Sequence, residues 1–179
     1  MMLVKSFAVA SLAVFAVAGP VWAAGSGSST PKPKTVHCSS GKVYSESAGK
    51  CVVQQDSSLT DEDYFENLRS LAYAGENAAA QELLAMMSDQ NADRVLTYWG
   101  FTHRRLGNVD EGMRYYNKAL AKNPDNILAR SYMGQAHVEA GRLDLARVQL
   151  KEIRDRGGEG SWPEIALAKA IQSGDTFNY

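Results

Sequence analysis

The sequence predicts an all-α protein: a short stack of about three helix–turn–helix repeats and a capping helix, preceded by a small disulfide-closed β-hairpin. Three observations predict it. From Leu59 onward, apolar residues recur at helical spacing and β-type alternation disappears. Glycines break the helical runs at regular places, Gly75, Gly107 and Gly141. Upstream, Cys38 and Cys51 enclose two short runs containing β-formers, separated by a turn-like stretch.

Taken in chain order, residues 1–23 read as an export leader. Lys5 precedes an apolar run from Phe7 to Ala18, followed by Gly19-Pro20 and Val21-Trp22-Ala23. The run is about a dozen residues, short of the roughly 20 that span a bilayer. A helix break before a small-x-small site is what a signal peptidase cuts, so cleavage is expected after Ala23, with Ala24 as the near alternative. No cysteine follows at once to carry a lipid, and no second long apolar run occurs. A periplasmic or secreted protein without stable membrane insertion is therefore expected. Residues 24–36 are small, polar and proline-containing and read as a flexible linker.

Residues 37–54 have a different grammar. Lys42-Val43-Tyr44-Ser45 and Lys50-Cys51-Val52-Val53 flank Glu46-Ser47-Ala48-Gly49, the pattern of a hairpin. An isolated hairpin is marginal in water. In an oxidising compartment a Cys38–Cys51 disulfide is the expected compensation, worth about 3 kcal/mol for a loop of this size. The spacing is not that of a C-x-x-C redox pair, and two cysteines without a histidine cluster do not make a zinc site. The alternative for this segment is a miniature binding module that presents Tyr44, for example to cell-wall glycan.

The helical part begins at Thr60, a capping residue followed by Asp61-Glu62-Asp63 at the positive end of the helix dipole. Helical pattern covers about 60–74 and 77–87, then 93–106 and 109–122, then 126–140 and 143–156. A final helix starts at Ser161-Trp162-Pro163-Glu164, with capping-box spacing and proline in the first turn. The predicted repeats are 61–92, 93–126 and 127–160, closed by a cap at 161–173, within a helical domain spanning 59–179.

Sliding the chain by 34 residues aligns Gly100 with Gly134, His103 with His137, Gly107 with Gly141, and Gly112 with Ala146. In the second unit Trp99-Gly100, Gly112, Tyr116, Ala119 and Pro124 follow one another; in the third Met133-Gly134, Gly141, Ala146 and Leu150 do, with Gly158 in place of the closing proline. The first unit matches more weakly, through Tyr64, Gly75, Ala80 and Leu84. This pattern resembles the tetratricopeptide repeat. The small residues are expected to let paired helices approach, Gly100 against Gly112 and Gly134 against Ala146. No unit buries its face alone, so neighbours stack into a solenoid.

The resemblance implies a curved array whose concave face is lined by the first helix of each unit. On that face it places Arg69, Tyr73, Arg94, Tyr98, Phe101, Arg105, Tyr132, Gln135 and Glu139. Tyrosine, phenylalanine and arginine are enriched at interface hot spots, although Tyr98 and Phe101 also suit packing between units. The amide-and-lysine set with which some family members clamp a terminal carboxylate is unmatched, since Thr97, Tyr98 and Phe101 occupy that stretch.

Catalytic and cofactor signatures are missing from the sequence: it has no glycine-rich phosphate loop, nucleophile elbow or HExxH. His103 and His137 read as packed residues, with no further ligands in phase to complete a metal site. The net charge is −1, or −2 once Lys5 is removed, with signs intermixed. That lacks the basic stripe of a nucleic-acid binder. The expected function is a non-catalytic scaffold of the bacterial cell envelope, with no cofactor or metal, that binds a protein or peptide segment.

Overall fold

The structure, a computed structural model, describes Val36, Cys38 and residues 41–177. The expected leader lies outside the described residues, as does the linker apart from Val36. Strands β1 (Lys42–Ser45) and β2 (Lys50–Val53) pair antiparallel, with Val43 opposite Val52 and Tyr44 opposite Cys51. Cys38 and Cys51 form the expected disulfide, their Cα atoms 5.8 Å apart. Seven helices follow among the described residues: α1 (Asp61–Tyr73), α2 (Asn77–Met86), α3 (Asp93–Arg105), α4 (Val109–Lys122), α5 (Ile127–Glu139), α6 (Leu143–Asp155) and α7 (Trp162–Ser173).

The hairpin is welded to α1. Val43 is fully buried in the main core. The Asn67 side chain treats Tyr44 as a strand neighbour would: its Oδ1 accepts from Tyr44 N, and its Nδ2 donates to Tyr44 O, both at 3.0 Å. Thr60 and Asp63 close a capping box at the start of α1. The buried Asp63 also accepts from Glu46 N at 2.9 Å, which ties the hairpin turn to the helix start. Burial pushes the Asp63 carboxyl up, but the donors from Glu46 and Thr60 outweigh it and hold the group below its ordinary range. We expect Asn67→Leu to cost about 1–3 kcal/mol, since both Tyr44 backbone groups lose their partner. Amide exchange should read this as lost protection at Tyr44 with α5–α7 unchanged.

Helices pair as α1/α2, α3/α4 and α5/α6, and α7 packs on both α5 and α6. The turn inside each later pair places glycine in the left-handed region, Gly107 at φ 87° and Gly141 at φ 70°, where a side chain is strained. This reverses the chain within two or three residues and sets the partners antiparallel. Close approach within the second unit rests on two glycines. A Cβ on Gly112 would stand 2.8 Å from the Gly100 carbonyl oxygen, and one on Gly100 would stand 2.5 Å from the Tyr116 ring.

The third unit departs from expectation here. A Cβ on Gly134 would meet Leu167 of α7 at 2.5 Å, so the nearest neighbour is the following helix rather than Ala146. The small residue recurs while the group filling the space beside it changes. Gly158, in the place of the closing proline, passes close over the Ile153 carbonyl oxygen, which a Cβ would meet at 2.8 Å. The capping box expected at α7 is not formed. Ser161 Oγ instead donates to Gly158 O at 2.5 Å, and the Glu164 carboxylate takes Arg154, at 2.6 and 2.9 Å.

The cores follow the pairing. One cluster runs from Val43 through α1–α5, and a second joins α5, α6 and α7. Along the first run aromatic rings from successive odd-numbered helices. Tyr98 stands edge-on to Phe65 with centroids 5.4 Å apart, and Phe101 lies 4.8 Å from Tyr132. Among the described residues no helix is long and apolar enough to cross a membrane.

Candidate docking site

Where α1, α3 and the α4–α5 connection meet, they enclose an open hollow of about 400 Å³. Its walls come from four sources, the fourth being the first turn of α5 with Ile127 and Leu128. Helix α1 supplies Phe65, Arg69 and Tyr73, one helical turn apart, so that they fall on one side of the helix. The first turns of α3 supply Asp93, Arg94, Thr97 and Tyr98. The connection supplies Asn123 and Asn126, which flank Pro124 and Asp125.

The polar side of the hollow is a fixed network. The Asp93 carboxylate accepts from Asn123 Nδ2 at 2.7 Å and from Asn126 Nδ2 at 2.9 Å. The Asn126 Oδ1 caps α5 by accepting from Ala129 N at 2.9 Å. One asparagine thus joins the start of α3 to the start of α5 and sets the angle between the second and third units. The opposite side is apolar and cationic. Arg94 lies over the Phe65 ring, 4.4 Å from its centroid, and pairs with Glu62 at 2.6 Å. Arg69 pairs with Glu66 at 2.8 Å. Both arginines keep roughly two-fifths of their side chains in solvent, at 38% and 41%. Such exposed pairs contribute little and exchange readily for another carboxylate.

Tyr73, half-buried at the end of α1, also lines the hollow. Its hydroxyl is hydrogen-bonded to that of Tyr98 and accepts from Tyr132 at 3.3 Å. Burial, with the Tyr73 hydroxyl beside it, pushes the Tyr98 phenol up, so Tyr98 is neutral at any physiological pH.

The structure gathers four of the nine residues expected on this face, Arg69, Tyr73, Arg94 and Tyr98, and separates the rest. Tyr98 contributes only a floor, being 1% exposed. Phe101, Tyr132 and Gln135 are fully buried, so none of the three stands open on the concave face in this structure. The Phe101 and Tyr132 rings are packed against rings of neighbouring helices, whereas the Gln135 amide is covered by the C-terminal segment, whose Phe177 N donates to it. Arg105 is exposed at the far end of α3, away from the hollow. Glu139 ends α5 and is held by Arg104 at 2.7 Å. Sequence reasoning missed Phe65, Asp93, Asn123 and Asn126. The pair of asparagines flanking Pro124-Asp125 was the available signal.

The two histidines stay apart in role. His103 stacks on Trp99 and Tyr115, with centroids 5.7 and 5.4 Å away. His137 Nδ1 accepts from Arg142 Nε at 3.3 Å. Burial first, and then Arg114 and Arg142 respectively, hold both imidazoles below their ordinary range. Among the described residues no group of three or more His, Cys, Asp or Glu is placed to hold a metal ion.

The hollow offers an aromatic wall, two exchangeable cations and a polar side bearing two asparagine amides. That is the chemistry of non-covalent recognition. A tetratricopeptide repeat family model matches residues 103–171. No curated protein matches the chain.

Proposed function

We infer, from a chain whose residues 103–171 belong to the tetratricopeptide repeat family, that this is a non-catalytic scaffold binding an extended protein segment in the hollow between α1, α3 and α5. The observation that carries the reading is the pair Arg69 and Arg94 beside Phe65 and Tyr73. A segment presenting a carboxylate next to an aromatic or aliphatic side chain matches it. The carboxylate replaces Glu62 or Glu66 on an arginine, and the apolar group lies against the rings.

The site of action is proposed to be the bacterial cell envelope. The leader-like residues 1–23 and the Cys38–Cys51 disulfide support export to an oxidising compartment. Presentation of Tyr44 to glycan by a separate hairpin module has less support, because the hairpin is bonded to α1 through Asn67 and Asp63.

The test is a panel of short acidic-aromatic peptides titrated against the native chain and an Arg69→Ala/Arg94→Ala variant. Exposed charge pairs at up to about 1 kcal/mol each, together with lost stacking beside Phe65, predict a complex weaker by several-fold to about tenfold in the variant. Binding of the native chain should also weaken with added salt. Equal affinity of both proteins for every peptide retained by the native chain would refute the placement.

A further inference from the structure

A second part of the odd-helix face is already occupied, and by the chain itself. After α7, Gly174 takes a left-handed conformation (φ 83°) that ends the helix and turns the backbone back toward α5. Thr176 Oγ1 then donates to Glu139 Oε1 at 2.6 Å, and Phe177 N donates to Gln135 Oε1 at 2.9 Å. The Phe177 ring packs half-buried against the cluster that holds Val138, Leu167 and Ala170.

The receiving surface has features of a built site. Gln135 is fully buried. Its other contact is a long 3.4 Å donation from Nε2 to Ser131 Oγ, so the backbone N–H of Phe177 supplies its best partner. Glu139 is held by Arg104, whose side chain is 1% exposed, and the oxygen that takes the guanidinium, Oε1, also accepts from Thr176. A preset acceptor for a hydroxyl, a preset acceptor for a backbone N–H and an apolar seat for a ring stand in a row. The occupant is lightly held. Asp175 is exposed, and Thr176 and Phe177 are half-exposed.

We propose that the Gln135–Glu139 face of α5 is a docking site for an extended segment carrying a hydroxyl residue followed by an aromatic one, and that Thr176-Phe177 closes it in cis. A partner with the same dipeptide binds by displacing the tail. This rests on the reading that the odd-helix face receives extended segments, but it uses residues distinct from the Arg69/Arg94 hollow. The tethered tail competes at a high effective concentration, so the native chain takes up such a partner weakly until the tail is released.

The experiment keeps the full chain and releases the tail by Thr176→Ala/Phe177→Ala. An amidated peptide covering residues 173–179 is titrated against the native and substituted proteins. The proposal expects binding to the substituted chain to be about tenfold or more tighter. Adding Gln135→Met to that chain should abolish binding, and Arg69→Ala/Arg94→Ala should leave it unchanged. Equal binding by native and released chains, or binding that survives Gln135→Met, overturns the proposal. Loss of helicity on releasing the tail overturns it too, since the segment would then be a structural strap. Failure here with acidic-aromatic peptides still bound at the hollow would sink this inference alone, whereas failure at the hollow alone would sink the other.

Discussion

Gly112→Leu is expected to lower the melting temperature by on the order of 10 °C and to broaden the transition, with residual helix lost first from α3 and α4. The reason is what a side chain there would meet. Its Cβ would lie 2.8 Å from the Gly100 carbonyl oxygen and 3.1 Å from Arg104 N, both backbone atoms. A flexible neighbour can swing away; two helix backbones cannot, so α3 and α4 must move apart. Overpacking typically costs about 1–3 kcal/mol, and a collision with backbone belongs at or above the top of that range. Separation would also pull the buried Tyr116 from its place against Tyr132. Gly134→Leu is the comparison, because the obstacle there is the methyl end of Leu167. It should cost less. Thermal melts of the two variants decide the point, and equal losses would mean that the α3/α4 contact is not the tight one.

Glu139→Gln is expected to destabilise the chain nearly as much, by about 3 kcal/mol, the lower end of what stranding a buried charge costs. Arg104 has 1% of its side chain in solvent, whereas Glu139 has 34%, so some water reaches the carboxylate position and moderates the loss. Burial works against the charged guanidinium, but the adjoining Tyr116 and Glu139 more than compensate and keep it ionised. Removing the carboxylate leaves that charge without its counter-ion. The double substitution Arg104→Leu/Glu139→Leu removes charge and counter-charge together and should cost less than Glu139→Gln alone. Denaturant unfolding of the native chain and these variants supplies the comparison. A Glu139→Gln loss under about 1 kcal/mol would mean that the pair behaves as an exposed one.

These two predictions also mark what the sequence could and could not convey. Helix pairing was legible because it depends on local signals: Gly107 and Gly141 at the turns, Thr60 before an acidic first turn, and apolar spacing within each helix. The Gly100–Gly112 contact was legible because both residues belong to one repeat. Contacts between repeats were not. Gly134 looked equivalent to Gly100, yet Leu167, thirty-odd positions along, fills the space beside it. The hairpin was legible as a hairpin, whereas its fastening by Asn67 was hidden, since an asparagine inside an amphipathic helix carries no sign of its distant partner.

The same division holds for the site. Arg69, Tyr73 and Arg94 were placed on the concave face by the resemblance to the repeat family, and all three line the hollow. Tyr98, Phe101 and Tyr132 occupy that face too, but large rings on stacked helices pack on one another before they meet solvent. Asn123 and Asn126 reach the hollow only because Asp93, thirty residues away, draws their amides together. Periodicity assigns a residue to a face; which residues on that face stay open is a property of the assembled stack.

The most direct test of the docking role is chemical-shift mapping on the isotope-labelled full chain with the tightest peptide from the acidic-aromatic panel. The account predicts shifts concentrated at residues 65–73 of α1, 93–98 of α3 and 123–128 of the α4–α5 connection, with the hairpin unmoved. Shifts confined to the hairpin or to the outer side of α6, with the Arg69 and Arg94 resonances unchanged, would contradict it.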